Sequence, residues 1–222
     1  MLSLGMEIMN RPQVANIYLD SGFLFQAYVF FLMIAAVGNG IHSTSTSVYQ
    51  SFVKNKESAS PTFDVNEKFH GGLSHNLLFI SVIFGSLFLA LLEINHPALQ
   101  PQIPSWMIIA FGVAIGVIQA IGIIRSTHIS FSLVSSLIAS AILFYYANPL
   151  VGEIYQYPIV VVTSYSFVTL FGSLSLMLLI FMASENWSKK VVKRVFPKGH
   201  RFHEEGVSLK LIRMKIERDW FE

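Results

Sequence analysis

The chain has 222 residues, of which 53% are hydrophobic and only 13% charged, with 19 phenylalanines and no cysteine. The charged share is about half that of ordinary soluble domains, and the mean hydropathy is +0.57, so a single water-soluble core does not accommodate this much apolar surface. The missing cysteines exclude disulfides, thiolate metal sites, iron–sulfur clusters and cysteine nucleophiles. The formal net charge of +2 says less than where the charges fall.

Residues 1–21 are read as an outer N-terminal segment at the membrane surface. Residues 1–20 lack a basic stretch followed by an apolar core and a small-residue cleavage site, so no cleavable signal peptide is expected. Crossing about 30 Å of hydrocarbon takes about 20 mostly apolar residues. Five segments meet that test: Gly22–Ile41, Asn76–Asn95, Ser105–Ile124, His128–Ala147 and Pro158–Ala183. In lipid the backbone must satisfy its own hydrogen bonds, so each is predicted to be a helix. The expected fold is all-α, a bundle of five transmembrane helices over residues 22–186. Pro97, Pro101 and Pro104 separate spans two and three, Asn148-Pro149 and Gly152 end span four, and Pro158 opens span five. The short turn Arg125-Ser126-Thr127 is expected to make spans three and four antiparallel neighbours.

Basic residues set the predicted orientation. Lys54, Lys56 and Lys68 of the first loop, Arg125 of the third, and Lys189, Lys190, Lys193, Arg194, Lys198 and Arg201 after span five all fall on one side if there are five spans. The second and fourth loops carry no Lys or Arg, and the N-terminal segment has only Arg11. The N-terminus is therefore expected outside and the C-terminus in the cytoplasm, in a plasma (inner) membrane or its organelle equivalent. Residues 187–222 read as a basic tail suited to anionic lipid headgroups. Leu209, Ile212, Ile216 and Trp220 recur there at helical spacing, which predicts an amphipathic helix. The membrane already accounts for this basic charge, so no nucleic-acid partner is expected.

Four histidines share the predicted cytoplasmic side: His42 at the end of span one, His70 and His75 before and at the start of span two, and His128 at the start of span four. Imidazole is the commonest metal ligand and also binds haem iron. Convergence of these rings would make a metal site from His42, His70, His75 and His128, or a haem b or copper site on His42, His75 and His128. The alternative is a set of separate interfacial histidines. If the rings do converge on a ligand, Gly71 and Gly72 would admit a macrocycle or a second helix.

Glu93 near the outer end of span two is either a proton or cation site at an outer mouth or a capping residue. Gly112, Gly116 and Ala120 in span three, Ser132, Ser136 and Ser140 in span four, and Ser166, Thr169 and Ser173 in span five form stripes of small and hydroxyl residues. Such stripes pack helices closely or line a polar path. With Glu93, Gln119 and Ser136 are the residues such a path would use. Gln119 and Asn39 are amides that need partners within a span. No phosphate-binding glycine loop, nucleophile elbow, paired intramembrane aspartate or intramembrane lysine is present.

In span number, outer N-terminus and scattered histidines the chain resembles the cytochrome b subunits of respiratory reductases. The resemblance implies haem held by histidines deep in several spans. Here the histidines stand at the predicted span ends and span five contains none, so no residue is carried over. The leading functional expectation is a non-catalytic or accessory subunit that sits among other subunits of a larger respiratory, photosynthetic or membrane-enzyme complex. The alternatives are a haem- or copper-binding redox membrane protein and a small-solute or ion channel or transporter.

Overall fold

A computed structural model describes residues 1–13, 19–53, 65–66, 68–98, 104–126, 129–150 and 154–183, and the described residues contain no strand. Six α-helices appear among them: α1 (Leu2–Met9), α2 (Ser21–Val48), α3 (His75–Asn95), α4 (Ser105–Ser126), α5 (Ile129–Ala147) and α6 (Pro158–Ala183). Five of these, α2 to α6, are long and apolar enough to cross a membrane. They coincide with the five predicted spans. The predicted tail, residues 187–222, lies outside the described residues, as does His128.

Short N-terminal α1 packs on the start of α2. Gly5 is the close-approach point, since a Cβ there would stand 2.7 Å from the Tyr28 ring. The Tyr28 hydroxyl donates to the Met1 carbonyl at 2.6 Å. Asp20 then caps α2 by accepting the Phe23 N–H at 2.7 Å, which satisfies one of the N–H groups that the first turn leaves without a helical partner.

Where the sequence predicts span one to end at Ile41, α2 continues to Val48 and into a π-helical turn, Tyr49–Val53. The Ser/Thr tract supports the extension. Ser45 donates to the Ile41 carbonyl at 2.8 Å, Thr46 to His42 at 2.8 Å and Ser47 to Ser43 at 3.0 Å. Each hydroxyl is thus satisfied by the preceding turn. A second π-helical turn, Lys68–Ser74, runs directly into α3. His42 and His75 therefore sit within continuous helical rods.

Helix α3 is the centre of the bundle. Residues Leu89 to Asn95 are all buried, and the helix meets α2, α5 and α6. Phe31 of α2 stacks on Phe84 and Phe88 of α3, with ring centroids 5.5 and 5.7 Å apart. The main partner of α4 is α6, and α4 touches α5 only sparsely despite the short connection between them. Gly112 and Gly116 explain the preference: added Cβ atoms would stand 2.6 Å from the Val162 carbonyl oxygen and 2.5 Å from that of Ser166. Glycine alone lets the two backbones meet, and that packing outweighs chain proximity.

Phe23, Phe30, Met33 and Val37 of α2, Phe111, Ile115 and Ile118 of α4, Phe144 and Tyr145 of α5, and Val168, Leu176 and Leu179 of α6 are exposed around the bundle. A water-soluble chain does not leave apolar surface on every side. Five helices of spanning length with such a surface fit a multi-pass membrane protein.

Candidate metal centre

Inward positions on α2 recur at helical spacing: Leu24, Tyr28, Gly38 and Ser45 are buried. His42 lies one turn after Gly38 and three residues before Ser45, so it falls on the stripe that faces α3. Gly38 draws the helices together there, because an added Cβ would meet Leu77 Cβ at 3.0 Å and the Leu78 N–H nitrogen at 3.2 Å.

The other two rings depend on the π-helical turn. His70 and His75 are five residues apart, a spacing that puts them on different faces of a regular α-helix. Hydrogen bonds from i to i+5 widen the turn and bring such residues onto one side. The Ser74 hydroxyl donates to the His70 carbonyl and holds this turn. His42, His70 and His75 converge as a result: one ligand atom from each lies within 4.8 Å of the other two, and all three side chains are half-buried. The rings of His42 and His70 stack with centroids 4.4 Å apart, and those of His42 and His75 at 5.1 Å. His42 Nδ1 is buried with no hydrogen-bond partner among the described residues. Leaving such an atom unsatisfied costs about 1–3 kcal/mol, which a bound ion would offset.

His42, His70 and His75 have the spacing of a site for one metal ion and not of a haem held between two stacked rings, while His128 of the expected haem set lies outside the described residues. Metal–nitrogen bonds of about 2.0–2.1 Å place tetrahedral ligand atoms about 3.4 Å apart, so from the observed 4.8 Å limit the ligand atoms need to close by about 1.4 Å at most. Two axial imidazoles of a haem stand on opposite faces of a macrocycle. Rings stacked at 4.4 Å leave no room for one between them. Gly72 offers no cradle either, since a Cβ there would meet nothing within 4 Å.

No protein-family model, no curated protein and no solved structure matches the chain. Its site is read from its own residues alone.

Glu93 lies at the opposite end of the bundle, next to α1, and is fully buried. Its Oε2 accepts the N–H groups of Ile159 at 2.7 Å and Val160 at 2.9 Å. These are first-turn donors of α6, which Pro158 opens. The carboxylate therefore caps a helix that is distant in sequence and meets the positive end of its dipole. Its Oε1 pairs with Arg11 at 3.4 Å, while Arg11 also bonds Glu7 at 2.8 Å. Around it, Asn95 donates to the Leu19 carbonyl at 2.6 Å and to Ser21 Oγ at 3.0 Å, and His96 bridges the Arg11 carbonyl and Ser21 Oγ, both at 3.0 Å. The network ties α1, α2, α3 and α6 together, and it favours the capping role of Glu93.

Glu93 and Gln119 are not brought together. Gln119 lies about 21 Å along α4 from its start at the Glu93 end, and its Oε1 is buried without a hydrogen-bond partner among the described residues. Ser136 donates to the Leu133 carbonyl at 2.9 Å. Ser140 donates to the Ser136 backbone carbonyl at 2.6 Å, so these hydroxyls are bonded to their own helix.

Proposed function

We propose that the protein is a multi-pass membrane protein that binds one transition-metal ion, zinc(II) or copper, through His42, His70 and His75. The observation that carries this reading is the convergence of three imidazoles from two separate helical rods, with their ligand atoms within 4.8 Å of one another. Imidazole nitrogen suits zinc and copper better than magnesium or calcium, which take oxygen ligands. Three protein ligands leave a fourth position, where a bound zinc ion supplies Lewis acidity to a water or substrate atom. The chain contributes the orientation of the rings and a half-buried setting at one end of the α2–α3 pair. Lys and Arg placement favours the cytoplasmic side for that end.

Equilibrium dialysis of the detergent-purified protein against zinc(II) and copper tests the reading. One ion per chain is expected, with uptake abolished by His42→Ala, His70→Ala or His75→Ala. Uptake that none of these substitutions changes would overturn it.

A second reading keeps the chain as a subunit of a larger membrane complex. Asn39 favours it, because the amide lies on the exposed side of α2. It adjoins Gly40, where a Cβ would meet nothing within 4 Å. An amide facing lipid calls for a polar partner on another chain. Native mass in mild detergent decides this: other polypeptides in fixed ratio support the reading, and a lone chain sinks it.

A further inference from the structure

We propose that Ser45 and Thr46 are positioning residues that fix the tautomer of His70, so that its Nε2 is the ligating atom; the proposal rests on the three-histidine reading above. A hydroxyl has one proton to give. Ser45 Oγ gives it to the α2 backbone, at 2.8 Å from the Ile41 carbonyl and 3.1 Å from that of His42. Thr46 Oγ1 gives its own to the His42 carbonyl at 2.8 Å. Both oxygens then have only lone pairs left for the atom they share, His70 Nδ1, at 3.2 and 3.3 Å. With both hydroxyls turned to the backbone, Nδ1 carries the hydrogen and donates it. A neutral imidazole has a single N–H, so the lone pair resides on Nε2.

This is the arrangement a metal-bound histidine needs: one ring nitrogen anchored to a fixed acceptor and the other presented to the ion. The sequence logic is compact. His42 supplies a ligand, and its own backbone carbonyl orders the hydroxyl of Thr46, which in turn orders His70. Ser45 is buried, which keeps water from replacing its acceptor oxygen. The Ser/Thr tract thus has two roles, holding α2 helical past Ile41 and setting the ring opposite.

The test uses the full chain in detergent, titrated with zinc(II) against a competing chelator. The Ser45→Ala/Thr46→Val double variant is expected to bind one zinc about 10–100-fold more weakly. The Ser45→Thr/Thr46→Ser exchange keeps both acceptor oxygens and should retain the affinity. In the metal-free protein, nitrogen NMR of labelled histidine, assigned with His70→Gln, should show Nδ1–H at His70 in the natural chain and a mixture of tautomers in the double variant. A purely structural effect would not move that signal. Zinc uptake that depends on the three histidines but is equally tight in the double variant would overturn the tautomer proposal alone. No uptake by the natural chain would overturn the three-histidine reading and this proposal with it.

Discussion

Replacing Gly116 by alanine separates packing from helix propensity, because the two effects have opposite signs. Alanine favours a helix over glycine by about 0.5–1 kcal/mol. At Gly116 the new Cβ would stand 2.5 Å from the Ser166 carbonyl oxygen, 2.8 Å from Thr169 Cβ and 3.2 Å from the Leu170 nitrogen. Two of those atoms are backbone and cannot rotate away. The α4–α6 pair must open by about 1 Å, and overpacking of that kind costs about 1–3 kcal/mol. Packing wins, so Gly116→Ala should lower stability by about 1–2 kcal/mol. Gly112→Ala should behave alike, with Tyr165 Cβ at 2.8 Å. Gly40 and Gly172 are the internal controls: a Cβ at either meets nothing within 4 Å. The same substitution there should be neutral or stabilising. Thermal unfolding of the four variants in one detergent, followed by circular dichroism, gives the comparison. If Gly116→Ala matched or exceeded Gly172→Ala in stability, the close α4–α6 crossing would be refuted.

Glu93→Ala leaves two α6 N–H groups and Arg11 without their buried acceptor, so a loss of about 3–5 kcal/mol is expected in the same unfolding assay; Glu93→Gln, which keeps one acceptor oxygen, should lose less. If Glu93→Ala unfolds like the natural chain, the capping role is wrong. Metal loading should raise the unfolding temperature, since an ion at 100 times its dissociation constant adds about 2.7 kcal/mol; a chelator should reverse the gain, and His42→Ala should show none. Because the chain has no cysteine, single introduced cysteines report orientation cleanly. Glu7→Cys should react with an impermeant thiol reagent from outside intact cells and Phe69→Cys only after the cytoplasmic face is opened; reaction of both from one side would contradict the predicted topology.

Periodicity and length were enough to find the helices. Span five is read as Pro158–Ala183 in both sequence and structure, since proline at the first helical position marks the start directly. The apolar run gives way to a Ser/Thr tract after Ile41, and hydropathy ends span one there. The hydroxyls of the tract instead bond back one turn and carry α2 to Val48. The histidines of the site are legible in the sequence, but the way His70 and His75 come to share a face is not. The i, i+5 spacing of His70 and His75 carries no helical signal unless a π-helical turn is known to lie between them. Gly38, four residues before His42, was the available clue to a close α2–α3 approach. The short loop leaves α4 touching α5, as a tight turn implies, but Gly112 and Gly116 give α4 its larger contact with α6, which loop length does not signal. For Glu93, sequence position alone could not separate an ion site from a cap. The partners that distinguish them, Ile159 and Val160, are 66 and 67 residues away.

The central claim is a metal ion held by three imidazoles, and X-ray absorption at the metal edge of the zinc- or copper-loaded protein tests it most directly. The account predicts imidazole scattering from three nitrogens at about 2.0–2.1 Å, lost when His42, His70 and His75 are replaced together. An oxygen-only shell, or imidazole scattering that survives the triple replacement, would contradict it.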